Sequence, residues 1–251
     1  MANRGIKNQG ALYLYGISRA AEKQTPRATN RGIDGEHAVQ ALRCGDFVCW
    51  VSTVDHAAFA EALERNKENL EWLALHSVRH QQVVGEVAAR TTMVPARFGT
   101  FFSGEAALLK DVQGRKSALV KVFKKISDSD EWGVKVFAAP GPKPVASVKA
   151  KSGREYLQQK AATIKKRPDR SSPELQEFAH ELEKVAAGSA PSGRVSGSQP
   201  DLLWQATFLV SRGRRQQWEK VLQDYVERWD GLRRIELSGP WPPYSFVSDA
   251  V

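Results

Sequence analysis

The chain has 251 residues, of which 41% are apolar and 26% are charged. That length suits one large or two ordinary domains, and that composition excludes a chain that is disordered throughout. The net charge of +9 is compatible with nucleic acid, an acidic membrane or an acidic protein as partner. Because no apolar stretch approaches the roughly 20 residues needed to span a bilayer, we expect a cytoplasmic globular protein with no membrane partner.

The first fifty residues indicate a strand followed by a hairpin. Residues 11–17 have the composition of a strand. Residues 37–43 and 47–53 flank a Gly45-Asp46 turn, which is typical of the two arms of an antiparallel hairpin. The chain therefore begins as a sheet.

Two helices and a closing strand are predicted next. Asp55 suits the N-cap of the first helix, and the polar segment Arg65-Asn66-Lys67 is expected to interrupt it. Residues 91–100 return to strand composition, with Pro95 favouring an edge position or a bulge. Helical spacing predicts that the second helix has an apolar face made of Leu70, Leu73, Ala74, Val78 and Val84. Together these patterns predict an α+β domain over residues 1–102.

The second half repeats a mixed α+β pattern. Its predicted elements are a helix 103–127, a strand 131–138, a basic helix 153–167, a helix 172–187, a flexible loop 188–200, a strand 202–211, a helix 214–229 and a strand 233–237. The helix 214–229 carries one apolar stripe, formed by Trp218, Val221, Leu222, Tyr225, Val226 and Trp229. We therefore predict a second α+β domain over residues 103–237 and a tail over residues 238–251.

The tail interleaves prolines with aromatic residues. Pro240 and Pro243 fix the backbone angle φ and exclude a helix or a central strand. Trp241, Tyr244 and Phe246 would be a liability in water unless their rings dock onto a surface. Docking on the protein's own body is the favoured interpretation, and a surface for a partner is the alternative.

No pattern of catalytic or cofactor-binding residues is recognisable. His76 and His80 share a helix face and could bind a metal in a metal-dependent enzyme, but they have no evident third ligand, so packing is favoured. Cys44 and Cys49 are not directly opposite across the predicted turn, so they are interpreted as small packing residues and not as a disulfide. The sequence thus predicts a protein that is not an enzyme, with no catalytic residues, cofactor or metal.

The predicted basic helix 153–167 is a candidate contact surface. Arg154, Lys160, Lys165 and Arg167 lie mostly away from its apolar side. A solvated basic face that steers acidic partners is the favoured interpretation. Nucleic-acid binding through this helix is the alternative function, although no strand carries the aromatic motif of RNA-binding sheets.

Several segments together resemble the gas vesicle synthesis family GvpF/GvpL. They occur in the family's order and cover nearly the whole chain. These segments are Leu12-Tyr13-Leu14-Tyr15-Gly16-Ile17, Val94-Pro95-Ala96-Arg97-Phe98-Gly99-Thr100, Glu131-Trp132-Gly133-Val134-Lys135-Val136, Ser152-Gly153-Arg154-Glu155-Tyr156-Leu157 and Gly239-Pro240-Trp241-Pro242-Pro243-Tyr244-Ser245-Phe246. The resemblance does not distinguish F from L.

The resemblance implies two α+β domains, the first ferredoxin-like and the second a modified ferredoxin-like domain with extra helices. It also implies an accessory protein of gas vesicle assembly, located in the cytoplasm and at the gas vesicle. Its expected partners are the small hydrophobic shell protein and other accessory proteins. Trp241, Pro243, Tyr244 and Phe246, together with the basic helix, are the hypothesised partner-binding residues.

Five further residues are expected to have structural roles. Phe98 and Phe101 are predicted to pack between the domains, with Gly99 allowing close backbone approach. Arg97 would need an acidic or carbonyl partner if buried, and we expect it to fix the domain interface; an exposed charge is the alternative. Trp132 is assigned a structural role on its strand.

Overall fold

The computed structural model describes residues 10–20, 31–139, 172–191, 199 and 201–248. The chain divides into two compact units. The first comprises Met1–Asp128 and Trp241–Val251, and the second comprises Ser129–Pro240. None of the helices within the described ranges combines the length and the apolar character needed to cross a bilayer.

The first unit contains an antiparallel sheet. Its strands are β1 (Ala11–Arg19), β2 (Gln40–Cys44), β3 (Phe47–Val54), β4 (Met93–Pro95) and β5 (Phe101–Phe102). They are ordered β2-β3-β1-β4, and β5 also pairs with β1. The predicted hairpin is therefore confirmed, and Pro95 lies in a strand at the edge of that order, where its missing N–H costs no ladder hydrogen bond.

Among the described residues, four helices accompany this sheet: α1 (His56–Arg65), α2 (Leu70–Ala88), α3 (Glu105–Gly114) and α4 (Lys116–Ile126). The Asp55 side chain accepts a hydrogen bond from the Ala58 N–H, so the predicted N-cap is confirmed. The helix ends at Arg65, where the polar segment predicted an interruption. Asn69 then caps α2 by accepting hydrogen bonds from two backbone N–H groups.

Both faces of the first sheet are covered, because alternate side chains of β3 point to opposite sides. On one face Val48 and Trp50 join a core that includes Val83 and Val84 of α2. On the other face Phe47 stacks on Phe123 of α4, with ring centroids 5.7 Å apart. The sheet therefore lies between two helical layers.

The two-sided packing explains where the first unit ends. Residues 103–127 were expected to open the second domain, with the boundary after Phe102. The first unit instead extends to Asp128, because α3 and α4 cover the second face of its sheet. The local pattern predicts a single helix over 103–127, where the structure has two that meet at Arg115, and it does not show which sheet they cover.

The second unit contains the strands β6 (Ser129–Ala138), β7 (Gly188–Pro191), β8 (Leu202–Ser211) and β9 (Arg233–Trp241). They are ordered β7-β8-β6-β9. The helices α5 (Pro173–Val185) and α6 (Arg215–Arg228) pack against each other and against β8. The prediction of a flexible loop over 188–200 is wrong at residues 188–191, which form β7 because they pair in antiparallel register with β8.

Aromatic side chains fill the core of the second unit. The ring of Phe178 in α5 lies 4.8 Å from Tyr225 and 5.0 Å from Trp229, measured between centroids. The predicted stripe of α6 is confirmed for Trp218, Leu222, Tyr225 and Trp229, which are buried, whereas Val226 is 45% exposed. The helix 214–229 was therefore predicted correctly, except that Val226 is not part of its buried apolar stripe.

Trp132 is also buried in the second unit, on β6, and its assigned structural role stays a prediction. The guanidinium carbon of Arg215 lies 4.8 Å above its ring. A Cβ atom on Gly239 would lie 2.8 Å from the carbonyl oxygen of Glu131 and 3.0 Å from the Trp132 ring. Only glycine lets the start of the tail segment approach β6 this closely.

We expect Phe123→Ala to destabilise the protein by about 3–5 kcal/mol, the usual cost of removing a buried phenylalanine. The substitution removes the stacking partner of Phe47 and leaves a cavity beneath the first sheet. Urea denaturation measures the loss. Lys121→Ala, on the exposed side of the same helix, is the control and is expected to change stability by less than about 0.5 kcal/mol. Equal effects of the two substitutions would contradict the packing of α4 on this sheet.

Candidate interaction site

A buried histidine lies at the centre of the first unit. His80 of α2 is 1% exposed. Its Nδ1 lies 2.8 Å from the Tyr13 hydroxyl oxygen, and its Nε2 lies 3.2 Å from the Ala96 carbonyl oxygen. Because a carbonyl only accepts hydrogen bonds, Nε2 carries the proton and Nδ1 accepts from the Tyr13 hydroxyl.

The Tyr13 hydroxyl also receives a hydrogen bond from the loop after β4. The Gly99 N–H donates to it over 3.2 Å. Gly99 has φ of +83°, and a Cβ there would meet no atom within 4 Å. The expected reason for this glycine, close backbone approach, is therefore wrong: the left-handed backbone conformation is what favours glycine here.

A second tyrosine extends the polar cluster. The Ile33 N–H donates to the Tyr15 hydroxyl over 2.6 Å, and the same hydroxyl lies 2.9 Å from the Ser52 hydroxyl. The Tyr15 ring also stacks on the imidazole of His80, with centroids 5.7 Å apart. Tyr13, Tyr15 and His80 thus link β1, β3, α2 and the loop after β4.

Burial sets the protonation states of these groups. It lowers the pKa of His80 to about 4, although the hydrogen bond to Ala96 opposes this shift. Burial also raises the pKa of Tyr13 and raises the pKa of Tyr15 to about 12. Near pH 7 the imidazole is therefore neutral and both phenols are protonated, which suits a fixed hydrogen-bond network.

The C-terminal tail docks beside this cluster, within the first unit. The Tyr244 hydroxyl lies 3.3 Å from His80 Nε2. Phe246 is 4% exposed, and the ammonium of Lys125 lies 5.5 Å above its ring. Pro243 is buried as well, whereas Trp241 leaves 51% of its surface exposed. The tail is therefore anchored through Pro243, Tyr244 and Phe246 and presents Trp241 to solvent.

The aromatic residues predicted to be structural surround the same cluster. Phe98 packs on its core with its ring centroid 6.0 Å from that of His80. Phe101 meets Tyr13 edge-to-face at 5.0 Å and lies 5.4 Å from Phe59. Both residues contribute to the core of the first unit, and their predicted role between domains stays a prediction.

Arg97 is exposed and lines a cavity of about 290 Å³ in the first unit. The cavity lies between β1 and α3, and its wall includes Gly16, Thr100, Phe102 and Arg115. The Arg97 side chain is thus open to solvent, as the alternative of an exposed charge expects. Its role at a domain interface stays a prediction. Arg154, Lys160, Lys165 and Arg167 lie outside the described residues.

His76 has a packing role. Its Nδ1 lies 2.8 Å from the Trp72 carbonyl oxygen, and its ring stacks on Trp72 at 3.8 Å. Both histidines therefore engage protein groups. Across the described ranges, no group of three or more His, Cys, Asp or Glu side chains is placed to hold a metal.

The apolar face predicted for α2 is partly wrong. Leu70 and Val78 are exposed by 79% and 53%, respectively. The buried face instead carries His76, His80, Val83, Val84 and Val87. Hydrophobic spacing did not find this face, because two of its members are histidines whose polar atoms are paired inside the unit.

Comparisons with known proteins agree on one family. The family model described as gas vesicle synthesis protein GvpL/GvpF matches residues 11–248. Gas vesicle protein L of Streptomyces sp. (strain CB03234) is 30% identical over 252 residues, covering 95% of this chain and 93% of the relative. Gas vesicle protein F1 of Halobacterium salinarum (strain ATCC 700922 / JCM 11081 / NRC-1) is 25% identical over 236 residues, covering 94% of this chain and 92% of the relative.

Two crystal structures share the fold. The chain superposes on the gas vesicle protein GvpF from Anabaena sp. PCC7120 with a TM-score of 0.67 and 20% identity, covering 95% of this chain and 96% of the other. For GvpF from Microcystis aeruginosa the TM-score is 0.63 and the identity 19%, with 95% and 99% covered. The mixed helix-and-sheet fold is therefore that of the GvpF structures.

We predict that stability falls as the pH is lowered from about 6.5 to 4. In the unfolded chain His80 takes up a proton below about pH 6.5, whereas the folded protein resists this until its lowered pKa of about 4. The unfolded state binds more protons in this window, so about 3 kcal/mol of unfolding free energy is lost across it. Urea denaturation at several pH values measures the slope.

The variant His80→Gln isolates the contribution of His80 to the pH dependence of stability, because glutamine does not titrate. Its stability is expected to vary less with pH in this window than that of the parent protein. His180→Gln, at an exposed position on α5, is the matched control and keeps the parent slope. If both variants keep that slope, His80 is not the titrating group.

We predict that Phe246→Ala costs about 3 kcal/mol of stability, because it removes a buried ring from the docked tail. Trp241→Ala, in the same tail, is expected to cost less stability than Phe246→Ala, since about half of the Trp241 surface is exposed. Thermal and urea unfolding measure both. A stable Phe246→Ala protein would contradict docking of the tail.

Proposed function

Because the chain belongs to the gas vesicle synthesis protein family GvpL/GvpF, we propose that it is a noncatalytic accessory protein that binds the small hydrophobic shell protein during vesicle assembly. Membership of this family implies a role in gas vesicle formation. The proposal adds a direct contact with the shell protein, alongside contacts with other accessory proteins, in the cytoplasm and at the vesicle.

The observation that carries this proposal is the exposed ring of Trp241 on an anchored segment. The chain is held just after Trp241 by Pro243 and Phe246, which are buried in the first unit. The large apolar ring is therefore presented with little backbone freedom to lose on binding. Fixed, exposed tryptophans of this kind are the residues that most often dominate protein interfaces.

The chemistry of the central cluster supports a noncatalytic role. The neutral His80 and the protonated Tyr13 and Tyr15 have pKa values shifted away from the range useful for acid–base catalysis near pH 7. Each of these polar groups is also committed to a hydrogen bond inside the unit. The cluster is suited to holding the tail surface in place.

We further propose that the two units are the domains of the chain and that both are variants of the ferredoxin-like fold. The order β4-β1-β3-β2 in the first unit supports this, since it is the order fourth-first-third-second. The order β9-β6-β8-β7 supports the same reading for the second unit, where helices α5 and α6 follow the first and third strands. On this proposal α3 and α4 are an addition to the first domain.

The test is capture of the shell protein by the purified, tagged protein. Trp241→Ala is expected to reduce the captured shell protein by about thirtyfold, the effect of losing about 2 kcal/mol at an interface hot spot. The conservative Trp241→Phe should retain most binding. Leu232→Ala, which removes another exposed apolar side chain, is the control and leaves capture unchanged.

Two results would contradict the proposal. If Trp241→Ala captures as much shell protein as the parent protein and its melting temperature is unchanged, the contact lies elsewhere on the surface. Purification with bound nucleic acid, seen as high absorbance at 260 nm, and no capture of shell protein would favour the alternative function through residues 153–167.

A further inference from the structure

The two cysteines of the chain are in contact. Cys44 ends β2 and Cys49 lies in β3, on either side of the Gly45-Asp46 turn. Their Sγ atoms are 3.0 Å apart, and both side chains are buried, with exposures of 3% and 0%. Both are free, buried thiols, as their interpretation as small packing residues expects, and they also contact each other.

The register of the hairpin explains the contact. Cys44 pairs with Phe47, and Cys49 pairs with Leu42, so the two cysteines are diagonal neighbours on the same face of the sheet. Directly opposite positions are not needed when both side chains lean toward each other. A disulfide bond is about 2.05 Å long, so each sulfur has to move by about half an ångström to form one.

We propose that Cys44 and Cys49 form a thiol pair that a peroxide converts reversibly into an intramolecular disulfide. This is a modification site on the first unit, and it is independent of the proposed contact with the shell protein. A thiol placed this close to a second thiol has its resolving partner already in position.

Cys44 is the thiol that reacts first. The Cys49 S–H points at Cys44 Sγ, and this hydrogen bond lowers the pKa of Cys44, whereas the pKa of Cys49 is raised. The thiolate is the nucleophilic form of cysteine, so thiolate character is concentrated on Cys44. Burial protects the pair, but Cys44 directly precedes the exposed turn residues Gly45 and Asp46.

Because of the position of β2, a small oxidant can reach Cys44. Within the described part of the sheet β2 is at the end of the strand order, and its residues Gln40 and Arg43 are exposed. Fraying of a terminal strand requires less free energy than opening of the core. Hydrogen peroxide is small enough to reach Cys44 through such an opening at the turn.

The reaction balances with hydrogen peroxide as the two-electron oxidant. The Cys44 thiolate attacks one peroxide oxygen, the O–O bond breaks, and the departing hydroxide takes up a proton to leave as water. The product is a sulfenic acid on Cys44. The Cys49 sulfur then attacks the Cys44 sulfur, the S–O bond breaks, and the thiol proton of Cys49 leaves with the hydroxyl as a second water. A dithiol reductant reverses the step.

The test treats the full-length protein with hydrogen peroxide and then alkylates it with N-ethylmaleimide under denaturing conditions. The expected result is that both thiols disappear together, the chain loses two hydrogen atoms in mass, and dithiothreitol restores both thiols. Cleavage after Arg43 and Arg65 keeps both cysteines in one peptide, and a further cut before Asp46 separates them. The two pieces should then stay joined until they are reduced.

Cys49→Ser and Cys44→Ser are the matched variants. Cys49→Ser is expected to stop at a sulfenic acid on Cys44, detected with a dimedone reagent, whereas Cys44→Ser should react at least tenfold more slowly. The proposal is overturned if the parent protein loses its thiols one at a time, forms chains linked to one another, or keeps both thiols until it is denatured. Capture of the shell protein is measured separately, so failure of one proposal does not decide the other.

Discussion

A neutral histidine buried in a protein core needs a donor for one ring nitrogen and an acceptor for the other, because an unpaired buried polar atom costs about 1–3 kcal/mol. In this protein the requirement is met at His80 by the Tyr13 hydroxyl and the Ala96 carbonyl. The Tyr244 hydroxyl lies against the same proton-bearing nitrogen. A single imidazole thus constrains the first strand, the segment after β4 and the C-terminal tail to one arrangement. Three of the segments that resemble the GvpF/GvpL family meet at this residue for that physical reason.

The contact of Tyr244 with His80 brings the end of the chain back to the first unit. After completing the second unit at Pro240, the chain returns to the first unit, whose core accepts Tyr244. The two units are therefore connected by the chain at two places, near residues 128 and 240. The second connection brings the partly buried ring of Tyr244 and its hydrogen bond with His80 to the first unit. A segment that appears as an appendage in the sequence is part of the N-terminal core.

The sequence predicts well what depends on neighbouring residues and poorly what depends on distant ones. Asp55 as an N-cap and Gly45-Asp46 as a turn were identified because the groups involved are within a few residues of each other. The strand at 188–191 was missed, since Gly-Ser-Ala-Pro forms a strand only when β8 supplies its pairing. The role of His80 could not be read from an isolated histidine on a helix, because its partners are 67 and 16 residues away.

In the tail, Tyr244 and Phe246 contribute to stability, whereas Trp241 is available for binding. The Pro-rich backbone restricts the unfolded segment, which lowers the entropy lost when Tyr244 and Phe246 dock. Docking of these rings then fixes the direction of the adjoining Trp241, half of whose surface stays exposed. An exposed tryptophan on a loose terminus would lose conformational entropy on binding and would invite aggregation. Held next to the buried Phe246, the same ring can meet an apolar partner at a smaller entropic cost, which suits the proposed contact with a hydrophobic shell subunit.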